Sequence, residues 1–405
     1  MNKRVATFYW MQLFVLAGVH FLIDLFASML PAILPAIRDE FSLSLSRAGF
    51  VLVVLLLTCN AVQPLVGHMR SHKRTPLLLH LGLIVGASIC LLGLLPRGNS
   101  AFVTMILLAI VSGFGIAIVH PEGLRAIHSL GRIPPAVSTA VFMAGGFLGY
   151  ASGGAVSAFL VYHFGFKGLY PLALCPVVGI LLIIFLRIRL VVESKTHNKN
   201  ETRTDDNRLP FLLIMIMAIP AAISTTILTS LLPTVLNELG FELTFGGLST
   251  TMFGLGGTVG AFIWAAIAHK KGELRCSIAA LFLVIPFLVM YLVFIDNRMA
   301  IWLLFGAGFC AMSAYILMIT LSRNAKGLKF GQRMGFMVGG TWAVAFMVFS
   351  ALLPVAEHFG TDALFRYVPL GYLFSALFGL FIIFKAKKPP NTQLPAQQPE
   401  LVSEA

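Results

Sequence analysis

The chain has 405 residues, 58% of them hydrophobic and 11% charged, with a formal net charge of +13. A mean hydropathy of +0.90 excludes a soluble globular protein, whose helices need a polar face. The basic surplus would suit a nucleic-acid partner only if it gathered on one soluble surface. It is instead shared out among short loops, which excludes that reading.

Twelve apolar runs succeed one another, at 11–35, 48–67, 76–95, 101–122, 136–161, 168–188, 211–236, 247–268, 276–295, 299–321, 335–356 and 365–384. Each approaches or exceeds the about 20 residues that a helix needs to cross hydrocarbon. The expected fold is therefore all-α and polytopic, with twelve transmembrane helices in two pseudo-symmetric six-helix bundles, 1–189 and 210–388. Residues 190–209 form the one long polar break and read as a linker. Residues 389–405 are Pro/Gln-rich and apolar-poor and read as a disordered tail. The first apolar run carries His20 and Asp24 and is too long for a signal peptide, so it is expected to remain as a span. Cys59, Cys90, Cys175, Cys276 and Cys310 all lie inside apolar runs and read as small core residues. No spacing matches a metal motif, and no metal or cofactor is expected.

An even number of spans puts both termini on one side. Of the 29 Lys and Arg, only Arg38, Arg47, Arg97, Lys167, Arg298 and Arg366 fall on the other. That bias predicts cytoplasmic termini in a bacterial inner membrane. The halves also repeat: Leu30-Pro31 with Leu34 matches Leu232-Pro233 with Leu236, and Phe41 to Ser44 matches Phe241 to Thr244. Phe142 to Gly146 likewise matches Phe336 to Gly340, and Arg125 matches Arg323, all at offsets near 200. Duplicated six-helix units mark secondary transporters that rock about a midplane site.

Ionisable residues inside hydrocarbon are costly and face a cavity or a partner. His20 and Asp24 stand four apart near the middle of span one, on one helical face. Such a pair can take up and release a proton, or simply anchor span one by a hydrogen bond. His120-Pro121-Glu122 and Arg125 stand at the cytoplasmic end of span four. Glu122 and Arg125, one turn apart, read either as a salt-bridged helix end at the water boundary or as a coupling and gating element, with Arg125 and His120 open to an anionic substrate. Asn60 and Gln63 read first as interhelical hydrogen-bonding groups, Gln63 also as a cavity residue. Where span one carries Asp24, span seven offers Thr226, beside Thr225; Tyr315 and Trp342 could face an apolar substrate or serve as packing. Gly145, Gly149 and Gly153, four apart, predict a close helix seam that permits sliding between the halves. Neither a phosphate-binding Gly-x-x-x-x-Gly-Lys-Ser/Thr loop nor a His-Glu-x-x-His motif occurs. The chain is not expected to be an enzyme, and energy would come from a gradient.

Several stretches resemble the fosmidomycin-resistance-protein family of the major facilitator superfamily: His20 to Asp24, Glu40 to Leu43, Gln63-Pro64 with Gly67, His120-Pro121-Glu122 with Arg125, and Gly145-Gly146 with Gly149. The resemblance implies proton-driven export of drugs or small polar metabolites. Two positions depart from the superfamily pattern, Ser71 where its loop carries Asp, and Tyr150 where its antiporters carry Pro. The reading is proton-coupled antiport of a small organic compound by a monomer in contact with lipid and with no nucleic acid. The alternatives are uptake of a metabolite, possibly anionic, and a non-transporting sensor or assembly factor.

Overall fold

The computed structural model describes residues 3–70, 74–191, 209–328 and 330–386. Most of the expected linker, all of the expected tail, and Ser71 lie outside the described residues. In chain order the first half has α1 (Lys3–Phe41), α2 (Leu45–Arg70), α3 (Leu77–Gly86), α4 (Ala101–His128), α5 (Pro135–Phe164) and α6 (Cys175–Phe185). The second has α7 (Phe211–Glu238), α8 (Leu243–Lys271), α9 (Glu273–Val293), α10 (Ile301–Arg323), α11 (Phe330–Gly335), α12 (Thr341–Phe359), α13 (Thr361–Phe365) and α14 (Val368–Ala386). A 3-10 stretch, Ala87–Leu94, continues α3, another, Gly165–Leu174, precedes α6, and a π-helical turn, Phe336–Gly340, joins α11 to α12. No strand forms among the described residues, since a lipid-exposed backbone must satisfy its own hydrogen bonds. The faces turned outward are apolar, with Leu81, Ile84, Leu107, Ile184, Phe262, Val293 and Phe374 all exposed.

Among the described residues eleven helices are long and apolar enough to cross a membrane, one of them the 49-residue stretch Val137–Phe185. That stretch is not one rod. Along α5, Gly145, Gly149 and Gly153 meet Ala17, Phe21 and Leu25 in turn, so α5 runs parallel to α1. Along α6, Gly179 meets Val19, and the Gln12 side chain donates to the Leu186 carbonyl at 2.9 Å, so α6 runs antiparallel to α1. The chain therefore doubles back between them, at Gly165, whose φ of +62° suits a residue with no side chain. This reversal reconciles eleven apolar stretches with twelve expected crossings.

The same glycines correct one expectation. Gly145, Gly149 and Gly153 pack α5 onto α1 within the first half, rather than at the boundary between halves. The boundary falls to the next faces of α5 and α8. There Gly154 meets Gly247 and Thr250, Ala151 meets Gly254, and the Ala155 amide donates to Thr251 Oγ1 at 3.1 Å. Nearer the loops, Gly49 of α2 faces Leu353 of α12, and Glu357 accepts from the Ser46 amide at 3.0 Å. Arg38 and Glu238, 200 positions apart and so equivalent by the sequence repeat, face each other at 3.4 Å. Glu238 also accepts from Thr361. These contacts close the bundle at the end that carries Arg38, Arg97 and Arg298.

The α1–α5 seam makes a paired prediction. A methyl on Gly149 runs into the backbone of Phe21, which cannot yield, whereas nothing lies within 4 Å of a methyl on Gly18. Gly149→Ala should cost about 1–3 kcal/mol by overpacking, seen as a lower melting temperature in micelles, and Gly18→Ala should leave melting unchanged or raised. Equal melting of the two variants would contradict this packing.

Candidate functional site

The site begins with an aspartate set midway along an apolar helix. Asp24 lies midway along the 39-residue α1, and its side chain is 17% exposed. One helical turn earlier on the same face, His20 Nε2 stands 3.3 Å from Asp24 Oδ2. The other carboxylate oxygen, Oδ1, faces His120 Nε2 of α4 at 3.0 Å. The two imidazoles meet edge to face with centroids 5.2 Å apart. Thus one carboxylate is held between two histidines, one from its own helix and one from a helix 96 residues away.

Neighbouring backbone sets both rings. His20 Nδ1 lies 2.9 Å from the carbonyl of Phe142 on α5, and the Phe142 ring stacks on His20 at 4.1 Å. His120 Nδ1 lies 2.9 Å from the Ile116 carbonyl one turn back on α4. Pro121 has no N–H to offer the next carbonyl, which loosens that turn. A carbonyl can only accept, so both Nδ1 atoms carry hydrogen and donate. Two glycines make the room. A Cβ on Gly123 would stand 2.8 Å from the Phe142 ring, and one on Gly146 would stand 2.6 Å from Asp24 Oδ2.

A proton inventory follows from this arrangement. With each Nδ1–H committed to a carbonyl, each Nε2 faces a carboxylate oxygen. The His120 Nε2 to Asp24 Oδ1 contact at 3.0 Å is a hydrogen bond, and since an ionised carboxylate only accepts, it needs a proton of its own. The His20 Nε2 to Asp24 Oδ2 contact is longer, 3.3 Å, and is an ion pair when His20 is protonated. Removing the proton of the His120 contact sets a lone pair against a lone pair, and His120 must withdraw. The contact that spans two helices is that of His120 with Asp24, so protonation is tied to whether α4 stays clamped to α1.

The cluster sits at the edge of the seam between halves. Gly146 faces Asp24, and Ala151, five residues on along α5, already meets Gly254 of α8, about 7.5 Å further by helix rise. A slightly exposed charged cluster thus borders the contact by which the halves hold together.

The remaining expected residues are placed elsewhere. Glu122 and Arg125 are buried, with side chains 1% and 6% exposed, and stand 2.8 Å apart. Arg125 also donates from Nε and Nη2 to the Val191 carbonyl, at 3.2 and 2.8 Å, tying the end of α4 to the chain leaving α6. All three guanidinium nitrogens are thereby engaged by protein. Gln63 turns back to Cys59 of its own helix, as Asn60 does to the Leu56 carbonyl. Thr225 is buried and shares a hydrogen bond with the Tyr372 hydroxyl at 2.7 Å; Thr226 is also buried. Tyr315 packs edge to face on Trp342 at 5.1 Å and donates to the Met337 carbonyl, inside the π-helical turn, at 2.7 Å. None of these joins the Asp24 cluster. Gly123, Phe142 and Gly146 do, and sequence reasoning missed them in that role. Their signal was slight: a glycine beside Glu122 and a Phe-Met-Ala-Gly-Gly stretch that repeats in the second half.

Residues 16–339 match the family described as Major Facilitator Superfamily. The chain is 22% identical over 378 residues to YfnC of Bacillus subtilis, an uncharacterized MFS-type transporter, covering 88% of this chain and 90% of that one. It is 21% identical over 378 residues to the fosmidomycin resistance protein of Escherichia coli, covering 90% of each. Among solved structures, a bacterial homolog of the human lysosomal transporter Spinster, inward-facing and unoccupied, superposes with a TM-score of 0.68 at 13% identity, over 95% of this chain and 99% of that one. A POT family transporter in complex with a thioalcohol-conjugated peptide gives 0.66 at 15%, over 93% and 96%.

The buried Glu122–Arg125 pair yields its own test. Glu122→Gln leaves a cation in a dry place and should destabilise by about 3–5 kcal/mol, read as a large loss of melting temperature. Glu122→Met combined with Arg125→Met should recover much of it. A single variant as stable as wild type would show the pair to be solvated after all.

Proposed function

The chain belongs to the Major Facilitator Superfamily, and we propose that it is a proton-coupled secondary transporter that exports a small organic compound. The observation that carries the reading is Asp24 clamped between His20 and His120 at the edge of the inter-half seam. Membrane carboxylates of this kind are expensive to bury and are seldom idle. A coupling ion works only if the two conformations bind it differently. Here the contrast is geometric: with a proton in the His120 contact the cluster ties α4 to α1, and without it that contact must open.

In the proposed cycle, the termini lie in the cytoplasm of a bacterial plasma membrane, and the closed end faces out. Protons load the Asp24 cluster when it is open to the outside and favour release of the exported compound. Loss of a proton inside frees His120 from Asp24 and resets the site. Arg38 with Glu238 and Glu357 with the start of α2 form the outer gate, and the α5–α8 seam is the bearing on which the halves rock. Glu122 and Arg125 act by holding the loosened end of α4. Gln63, Trp342 and Tyr315 supply the walls of the substrate path, and Thr225 and Thr226 stiffen the second half beside it. The direction is favoured by the relative named for fosmidomycin resistance, since a resistance protein of this fold is most simply an exporter. The transporter works as a monomer within lipid.

Purified protein in proteoliposomes carrying an internal pH dye should show proton movement when fosmidomycin or another compound from a panel of small drugs and metabolites is added. Asp24→Asn should bring that movement to background while elution and melting stay as in wild type. Undiminished proton movement in that variant would refute the assignment of Asp24.

A further inference from the structure

The coupling cluster has a feature that proton handling alone does not require. Both imidazoles spend Nδ1 on backbone carbonyls, and both turn Nε2 onto one carboxylate. That is how a protein prepares histidines to bind a metal. The outer nitrogen donates to a carbonyl, which fixes the tautomer, and the inner lone pair points at the ion. We propose that His20, Asp24 and His120 form a binding site for a divalent transition cation, of which Zn2+ and Co2+ are the probes. This goes beyond the transport reading and does not depend on it.

The distances suit such an ion. Two ligands about 2.1 Å from a tetrahedral Zn2+ stand roughly 3.4 Å apart. His20 Nε2 stands 3.3 Å from Asp24 Oδ2 and His120 Nε2 stands 3.0 Å from Oδ1, so the two imidazoles meet opposite oxygens of one carboxylate, and one donor atom from each residue lies within 4.8 Å of the others. Two nitrogens and a carboxylate oxygen select zinc, cobalt or nickel over magnesium and calcium, which prefer an all-oxygen shell. Three protein ligands leave a fourth position open, as at exchangeable zinc sites. The side chains of Asp24 and His120 are 17% and 19% exposed, so the cluster is not sealed on every side.

The charges suit a cation as well. A divalent ion on one carboxylate and two neutral imidazoles leaves the cluster at a net charge of +1, so Asp24 offsets half of the ion's charge and cuts the desolvation cost that a lone ion would bear. The ion and the proton of the His120 contact are mutually exclusive. A bound metal pins α4 to α1 without needing the shared proton, and so it blocks the step in which His120 withdraws. Sequence spacing shows no metal motif because His120 is 96 residues from Asp24 and reaches it only through the packing of α4 on α1.

The test uses full-length protein in detergent without a polyhistidine tag. Co2+ should bind with saturation at one ion per chain and give the intense visible bands of a four-coordinate site. Zn2+ should displace it, and a hundredfold excess of Mg2+ should not. Zn2+ should also raise the melting temperature of the wild type, as any ligand of the folded state does, so the result does not hinge on a variant folding. His20→Ala and His120→Ala should each weaken Co2+ binding beyond the about 10–100-fold that loss of an outer partner costs. No saturable band and no Zn2+ shift in the wild type would overturn the site, as would binding unaltered in both variants, which marks surface histidines. Wild type that binds no metal but loses coupling on Asp24→Asn defeats the metal site alone. Metal bound by wild type, with coupling intact in Asp24→Asn, defeats the proton reading alone.

Discussion

A carboxylate placed midway through hydrocarbon must be neutralised locally, and the structure of the first half answers that demand. Asp24 receives one imidazole on each oxygen. Those imidazoles are themselves fixed by the carbonyls of Phe142 and Ile116. Three helices are thereby committed. α1 supplies the acid and one base, α4 the other base, and α5 the carbonyl, the stacked ring and the gap at Gly146. The close seam of α5 on α1, which needs glycine at positions 145, 149 and 153, sets α5 near enough for this. Packing and chemistry are thus one constraint, since a looser seam would leave His20 without its carbonyl and Asp24 without a fixed partner.

The two halves share an architecture and differ in chemistry. The Phe-Met-Ala-Gly-Gly stretch of α5 runs as regular helix and turns a carbonyl to His20. Its counterpart, Phe336–Gly340, winds as a π-helical turn and receives the Tyr315 hydroxyl on the Met337 carbonyl. Such turns recur at functional positions because they displace one carbonyl from the regular ladder. Where the first half has an acid and two bases, the second has buried threonines and an aromatic group of Tyr315, Trp342 and Phe346. Among the described residues the buried ionisable side chains are therefore concentrated in one bundle, and the other buries threonines and aromatic rings in their place. Between them the contact at Ala151, Gly154, Gly247 and Gly254 is made of small residues that present few obstacles to a change of angle.

Much of this was legible in the sequence. The twelve apolar runs, their division by a polar break and the offset near 200 all follow from what hydrocarbon permits. Arg38 and Glu238, which the same offset relates but sequence reasoning did not pair, meet across the halves. The His20–Asp24 pair was legible because helical spacing alone puts the two on one face. Helix rotation was not legible, and it accounts for the rest. It brought His120 to Asp24, buried Glu122 with Arg125, and turned the Gly145 series toward α1 rather than toward α8. The reversal at Gly165 was also blurred, because a short turn between two apolar helices leaves little polar signal.

The central claim is that Asp24 on α1 holds His120 of α4 through a shared proton. Nitrogen-15 NMR of histidine-labelled protein in bilayers, compared with Asp24→Asn, examines it directly. The account predicts hydrogen on Nδ1 of both His20 and His120, and an Nε2 signal from His120 displaced from the free-imidazole position and moving when Asp24 is replaced. An Nε2 signal from His120 at the free position, unmoved by that replacement, would contradict it.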